Sequence, residues 1–393
     1  KMKIFLLTYA HEQGIQKDTG GIRKVQELAK AFTRADHKAV VFLPKDEFEF
    51  ERGRVLYKPY GVINITGLRP VCAYLAQFIK PLWLYLCTKD MKPDVIYFRT
   101  APSVLPVLLS WLTRAKFVIE INGDVLGEER GKVASLWRDA SHYLRTKLII
   151  AAERINCNAA GAVIALTEGI KEIIVNRYGV SPEKIFVINS GTNIDHCRPM
   201  SVEQCRKTLG LNGNRHYINF IGVLYKHQGI DTLINAAPSV LEQYPDVIFL
   251  IGGGGPMLKL WLQKAEDMGL EKNFRFLGVI PFKKLPLFLN TADICVAPFT
   301  GNRGEASPLK LFDYMACGKP VVCSGIPSLR SLVNECKGII SVPPDDSQAL
   351  ASALIGLLND DSKRESMGGE GRKYIEEHHS WDVIAHKIID AIK

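Results

Sequence analysis

The sequence predicts an α/β protein with two open parallel sheets, and three observations carry that prediction. At 393 residues the chain exceeds what one compact α/β core normally holds. Short apolar runs rich in Val, Ile and Phe alternate with helical patterns from end to end, as stacked βαβ units do. A turn-rich stretch, Asn189-Ser190-Gly191-Thr192-Asn193 followed by Cys197-Arg198-Pro199, separates the runs into two series and places a domain boundary near residue 195.

Taken in order, the first series reads as strands at 3–9, 39–43, 94–98, 117–121, 161–165 and 185–188. Helical patterns at 21–35 and 168–178 lie among them. The second series reads as strands at 217–222, 247–251, 274–277, 293–297, 320–323 and 338–341. Their unbroken apolar character predicts sheets covered on both faces. A final helical pattern runs from Asp382 to Ile392, after Ser380-Trp381, with Trp381 as a packing anchor. Ligands of such folds bind beyond the carboxyl ends of the strands, so the two sheets are expected to face one cleft.

Hydrophobic residues make up 47% and charged residues 23% of the chain, the balance of an ordinary globular protein. The net charge of +9 is lopsided: residues 1–200 carry 29 Lys and Arg against 20 Asp and Glu, and the remainder carries 21 of each. The first half is therefore suited to an anionic surface or an acidic acceptor. No helix-turn-helix signature or aromatic-interleaved basic patch points to nucleic acid. The nine cysteines are scattered, with no Cys-x-x-Cys pair, so zinc and a disulfide framework are not expected. Lys1 and Met2 lead into a strand pattern without a cleavable signal, which predicts a cytoplasmic protein. The apolar stretch 71–87 is interrupted by Lys80 and Pro81 and is too short to span a bilayer. Two readings of it stay open: a buried helix broken at Pro81, and an interfacial helix with Trp83 and Tyr85 at headgroup level beside Arg69 and Lys80.

The segment from Gly304 to Tyr314 carries the most chemistry. Ser307 is a candidate helix N-cap, with Pro308 and Leu309 opening the helix, so the first-turn N–H groups form an anion site behind the strand at 293–297. Lys310 and Arg303 would add positive charge there, Asp313 would accept from a ribose diol, and Glu305 would meet sugar hydroxyls. The alternative leaves Glu305 and Asp313 as ordinary solvated acids.

A Glu and, eight positions on, an acid, read through Ser-Pro-Leu-Lys-Leu-Phe-Asp-Tyr-Met-Ala-Cys-Gly-Lys-Pro, resembles the donor-site signature of glycosyltransferase family 4. The resemblance implies the GT-B fold: two Rossmann-like domains facing a central cleft. Residues 1–194 would bind the acceptor, residues 195–379 the nucleotide-sugar donor, and 380–393 would cross back to the first domain. Thr19-Gly20-Gly21 resembles the family's glycine loop, Gly222 with Val223 and Leu224 the opening of its donor domain, and Ile251 to Pro256 its glycine turn. Gly278, Val279 and Ile280 resemble its base-contacting loop.

Departures from the family pattern shift the expected roles. Val223 and Gln228 stand where the family often has Arg and Lys, and Lys226 is the expected substitute. The second acid of the signature is Asp313 rather than Glu, and Asn122 stands where many members place His, which makes it an expected ligand of a sugar hydroxyl. His11, Asp124, Glu128 and Glu129 are the acceptor-side candidates. The resemblance implies a retaining, metal-independent hexosyl transfer, with no cofactor beyond the nucleotide sugar. A UDP-sugar is favoured over a GDP-sugar, and the acceptor is expected to be lipid-linked or saccharide, in surface polysaccharide or glycoconjugate assembly at the inner face of the cell membrane. A sugar-nucleotide epimerase and a non-catalytic binding protein of the same fold are the alternatives.

Overall fold

The computed structural model describes residues 1–7, 20–44, 55–60, 91–99, 103–123, 136–303, 307 and 309–393. They fall into two compact units: residues 1–190 with Ser307 and 381–393, and residues 191–303 with 309–380. The division comes four residues before the expected boundary.

The first unit holds a seven-stranded parallel sheet of β1 (Lys3–Leu7), β2 (Lys38–Pro44), β3 (Leu56–Tyr60), β4 (Val95–Arg99), β5 (Lys116–Ile121), β6 (Ala162–Ala165) and β7 (Ile185–Val187), in the order β3-β2-β1-β4-β5-β6-β7. β1 is buried along its apolar residues because helices cover both faces, which explains its continuous hydrophobic sequence. β3 is the strand the sequence reading missed. Its Leu-Tyr-Lys-Pro-Tyr carries a proline that a central strand would not tolerate, and it sits at the sheet edge.

The helix Trp381–Ile392 belongs to this unit. Trp381, Ile384, Ile388, Ile389 and Ile392 pack with Ile4, Leu6, Val25 and Leu28 in one core. Each such burial stabilises by roughly 1.5–3 kcal/mol. Arg34 fixes the helix start by donating to Asp382 at 2.7 Å.

A buried polar knot lies at the carboxyl end of β4 and β5. Lys24, from the helix Gly20–Arg34, approaches Glu120 at 2.8 Å and donates to Ser190 at 2.8 Å. Tyr97 donates to the other Glu120 oxygen at 2.5 Å, and the Arg99 Nε lies 3.6 Å from the carboxylate. Burial lowers Lys24 to about 8, with Glu120 offsetting only part of that cost. Burial alone would raise Glu120, yet Lys24 and Arg99 hold it below the usual carboxylate range. Replacing Glu120 with Gln leaves Lys24 buried without its counter-charge, and we expect a loss of about 3 kcal/mol in urea unfolding at pH 7. Because the folded pKa of Glu120 is depressed, its stabilisation is present above the unfolded carboxylate range. It disappears as pH falls through the folded value, so mutant and wild type should converge in acid.

The second unit holds a six-stranded parallel sheet of β8 (Tyr217–Ile221), β9 (Ile248–Gly252), β10 (Phe274–Gly278), β11 (Ile294–Ala297), β12 (Val321–Ser324) and β13 (Ile339–Val342). Its order is β10-β9-β8-β11-β12-β13, so the winding reverses between β8 and β11. In open α/β sheets that switch point opens a crevice at the carboxyl strand ends.

Candidate functional site

Three loops meet at the carboxyl edge of the second sheet. Those following β8, β9 and β10 are joined by backbone hydrogen bonds: Gly222 donates to the Gly252 carbonyl at 3.0 Å, Leu224 to Gly254 at 2.9 Å, and Gly253 to Gly278 at 2.7 Å. Such closeness requires glycine at two positions. Gly222 has φ +153°, and a Cβ there would stand 2.5 Å from the Lys310 ammonium. Gly253 has φ +143°, and a Cβ there would run into the Gly222 carbonyl oxygen. Val279 lies over the turn, 56% exposed, and Ile280 is packed beneath it near Gly252. The Gly222, Val279 and Ile280 elements expected from sequence are therefore brought together.

Lys310, in the first turn of the helix Leu309–Ala316, reaches into the switch point. Its ammonium sits 3.9 Å from the ring centre of Phe220 on β8 and 5.3 Å from that of Phe299, just past β11. It donates to the side-chain amide oxygen of Gln228. Burial, reinforced by Arg303, pushes the Lys310 pKa well below the ordinary lysine range. Arg303 stacks its guanidinium 3.7 Å over the other aromatic wall, Phe299. His227 is likewise pushed down by burial, then by Arg303 and Lys310. Positive charge is thus concentrated in a partly desolvated crevice, where it acts on an incoming anion more strongly than in water.

Lys226 lies apart from this cluster. It opens the short turn Lys226–Gln228 with its side chain exposed, and the buried Gln228 faces Lys310 instead, because the third residue of that turn points inward. Asp313 has a duty the sequence did not reveal: it accepts from the Thr192 hydroxyl at 2.5 Å, and Thr192 in turn donates its N–H to the His379 carbonyl at 2.9 Å. Ser307 donates to Asn189 at 3.4 Å, and Leu309 is the first residue of the helix.

Tyr314 was also missed. Its hydroxyl accepts from the Ile221 N–H at 2.9 Å, where β8 leaves the sheet, and donates to the Val296 carbonyl. Replacing Tyr314 with Phe strands that N–H, and we expect about 1–2 kcal/mol lower stability by thermal or urea unfolding.

In the first unit, Gly20 and Gly21 open the helix Gly20–Arg34, and Asn122 follows β5 with its side-chain oxygen buried and without a hydrogen-bond partner among the described residues. Glu305, Pro308, His11, Asp124, Glu128 and Glu129 lie outside the described residues, as do Thr19 and the stretch 71–87. Among the described residues no cluster of three His, Cys, Asp or Glu could hold a metal ion, and no helix is long and apolar enough to cross a membrane.

Two parallel-sheet units of this kind, with helices on both faces, make up the architecture of the GT-B enzymes. Residues 19–196 match the family model Glycosyltransferase Family 4, and residues 201–374 match Glycosyl transferases group 1. The chain belongs to the GT-B glycosyltransferases.

An uncharacterized glycosyltransferase of Methanocaldococcus jannaschii is 27% identical over all of this chain and 98% of its own length. A D-inositol 3-phosphate glycosyltransferase of Corynebacterium urealyticum is 29% identical over 59% of this chain, which spans 56% of that relative. A GDP-mannose-dependent monoacylated phosphatidylinositol monomannoside mannosyltransferase of Corynebacterium glutamicum is 28% identical over 52% of this chain and 55% of its own length. Among solved structures, Anabaena HepE in complex with UDP and glucose superposes with a TM-score of 0.73 at 19% identity, covering 100% of this chain and 99% of HepE.

Proposed function

We propose that the enzyme moves a sugar, with retention of anomeric configuration and without a metal ion, from a nucleotide-diphosphate sugar to a lipid-linked or saccharide acceptor. Surface polysaccharide or glycoconjugate assembly is the setting. The observation that carries this reading is the Lys310 ammonium at the switch point of the second sheet, walled by Phe220 and Phe299 and reinforced by Arg303. The charge that develops on a leaving nucleoside diphosphate needs stabilising where it forms, and these side chains supply it in place before the reaction.

The remaining roles follow the family resemblance. Glu305 meets sugar hydroxyls, Asp313 the ribose, and the departing phosphate takes the acceptor proton. The buried Asn122 oxygen, unpartnered among the described residues, supports its role with a sugar hydroxyl, since a donor from ligand would relieve a cost of about 1–3 kcal/mol.

UDP is favoured as the donor base on the likeness to HepE, and GDP-mannose is the competitor raised by the corynebacterial relative. A thermal-shift panel of UDP-glucose, UDP-galactose, GDP-mannose and ADP-glucose tests the reading, because a ligand that binds only the native state raises its melting temperature. A rise with a UDP-sugar is expected. A rise with GDP-mannose alone would overturn the choice of base, and no rise with any of them would overturn the donor site.

A further inference from the structure

The first unit carries an apolar face that the transfer reaction does not use. Val104, Leu108 and Trp111 follow one another at helical spacing along the helix Leu105–Thr113 and its cap, and are 40%, 47% and 75% exposed. Beside it, the helix Leu136–Ala159 exposes Leu148 by 50% and Ile155 by 51%, seven residues apart and so on one side. The two helices are tied together where Asn156 donates to the Ser103 carbonyl at 2.8 Å. Both feed the same core through Leu109 and Cys157, so their exposed sides share the outer face of that layer.

Among the side chains described on these two helices and their caps, the exposed charges have one sign. Leu105–Thr113 contains no charged residue. Exposed Arg114 ends it in a left-handed turn, and Lys147 and Arg154 are exposed on its neighbour. The one acid from 147 to 159, Glu153, is buried and accepts from the Tyr178 hydroxyl. A nearly bare tryptophan among aliphatic side chains, with cations as the exposed charges described on the two helices, has the composition of a surface that lies in a headgroup layer.

We infer that the face formed by Val104, Leu108, Trp111, Leu148 and Ile155, with Arg114 and Arg154, docks on the surface of an anionic lipid bilayer. The apolar residues enter the acyl boundary, and the basic ones meet lipid phosphates. This deepens the lipid-linked acceptor reading above and rests on it: a lipid-borne acceptor is confined to the membrane plane, and docking holds the enzyme there.

The test is flotation of the full chain with vesicles of equal parts phosphatidylglycerol and phosphatidylcholine, and with phosphatidylcholine alone. Three proteins are compared: wild type, the double variant Leu108→Ser/Trp111→Ser, and Arg154→Glu. Wild type should float with the anionic vesicles and far less with the neutral ones. Each variant should lose about fivefold or more in apparent affinity, the scale of one basic contact at such a surface, while its donor-induced thermal shift stays unchanged. Variants that float like wild type would overturn the assignment of this face while leaving a membrane-bound acceptor standing. A wild type that floats with neither vesicle would overturn membrane docking itself, with the donor shift still reporting separately on the transferase site. Equal flotation on both vesicles would overturn the electrostatic part. A wild-type dimer in light scattering that becomes monomeric in the double variant would assign the face to a second copy and overturn the proposal.

Discussion

Replacing Lys310 with Met should lower kcat/KM for the sugar nucleotide by at least about 100-fold, the scale on which one preorganised donor to a developing anion acts. Methionine keeps the apolar stem against Phe220 and Phe299 and removes the charge together with its hydrogen bond to Gln228. Thermal stability without ligand should therefore change little, since the loss of a desolvated cation offsets the cost of the unpaired Gln228 oxygen. Arginine should not rescue, because the ammonium already lies where a Cβ on Gly222 would collide, and a guanidinium is larger. Wild-type kcat/KM should fall as pH rises through the Lys310 pKa of the free enzyme, which burial and Arg303 hold well below the ordinary lysine value. The active form is the protonated one, so activity is present below that pKa and lost above it. A loss under about tenfold in Lys310→Met would remove the ammonium from its assigned role.

Gly253→Ala should have the largest effect on stability. Its φ of +143° is hostile to any side chain, and the added carbon meets the Gly222 carbonyl oxygen, which is backbone and cannot swing aside. We expect about 4 kcal/mol of destabilisation, read as a drop in apparent melting temperature of roughly 2–4 °C per kcal/mol for a domain of this size. The donor-induced thermal shift should shrink as well, because opening the turn breaks the bonds from Gly253 to Gly278 and from Gly222 to Gly252 that align the three loops. A mutant that melts like wild type would show that the turn relaxes freely, and the loops would then not be held by this contact.

The sheets were legible in the sequence because strands covered on both faces must be apolar throughout, and every buried strand announced itself that way. β3 did not, since an edge strand can carry Lys58 and Pro59 and needs only one partner. Within the site, Lys310 was legible from its place after a strand and at a helix start. Its surroundings were not. Phe220 and Phe299 read as core residues, and their second use as walls for a cation depends on β8 and β11 being neighbours, which is a property of winding rather than of local pattern.

The contact between Gln228 and Lys310 was hidden for a similar reason. Charge alone favoured the lysine, but burial in the turn selected the amide, whose oxygen can accept from Lys310 without adding a second charge to the crevice. The bond between Thr192 and Asp313 spans 121 positions and leaves no periodic trace.

The helix Trp381–Ile392 sets an order on biosynthesis. The second unit is nearly whole once Ser380 has been made, but the first lacks the isoleucine face that seals it against Ile4, Leu6, Val25 and Leu28 until some 200 further residues have been added after Ser190. At translation speeds of about 5–20 residues per second, the earliest-made strands wait at least about ten seconds with that surface uncovered. The strands of the first unit are made before those of the second, yet they are covered after them.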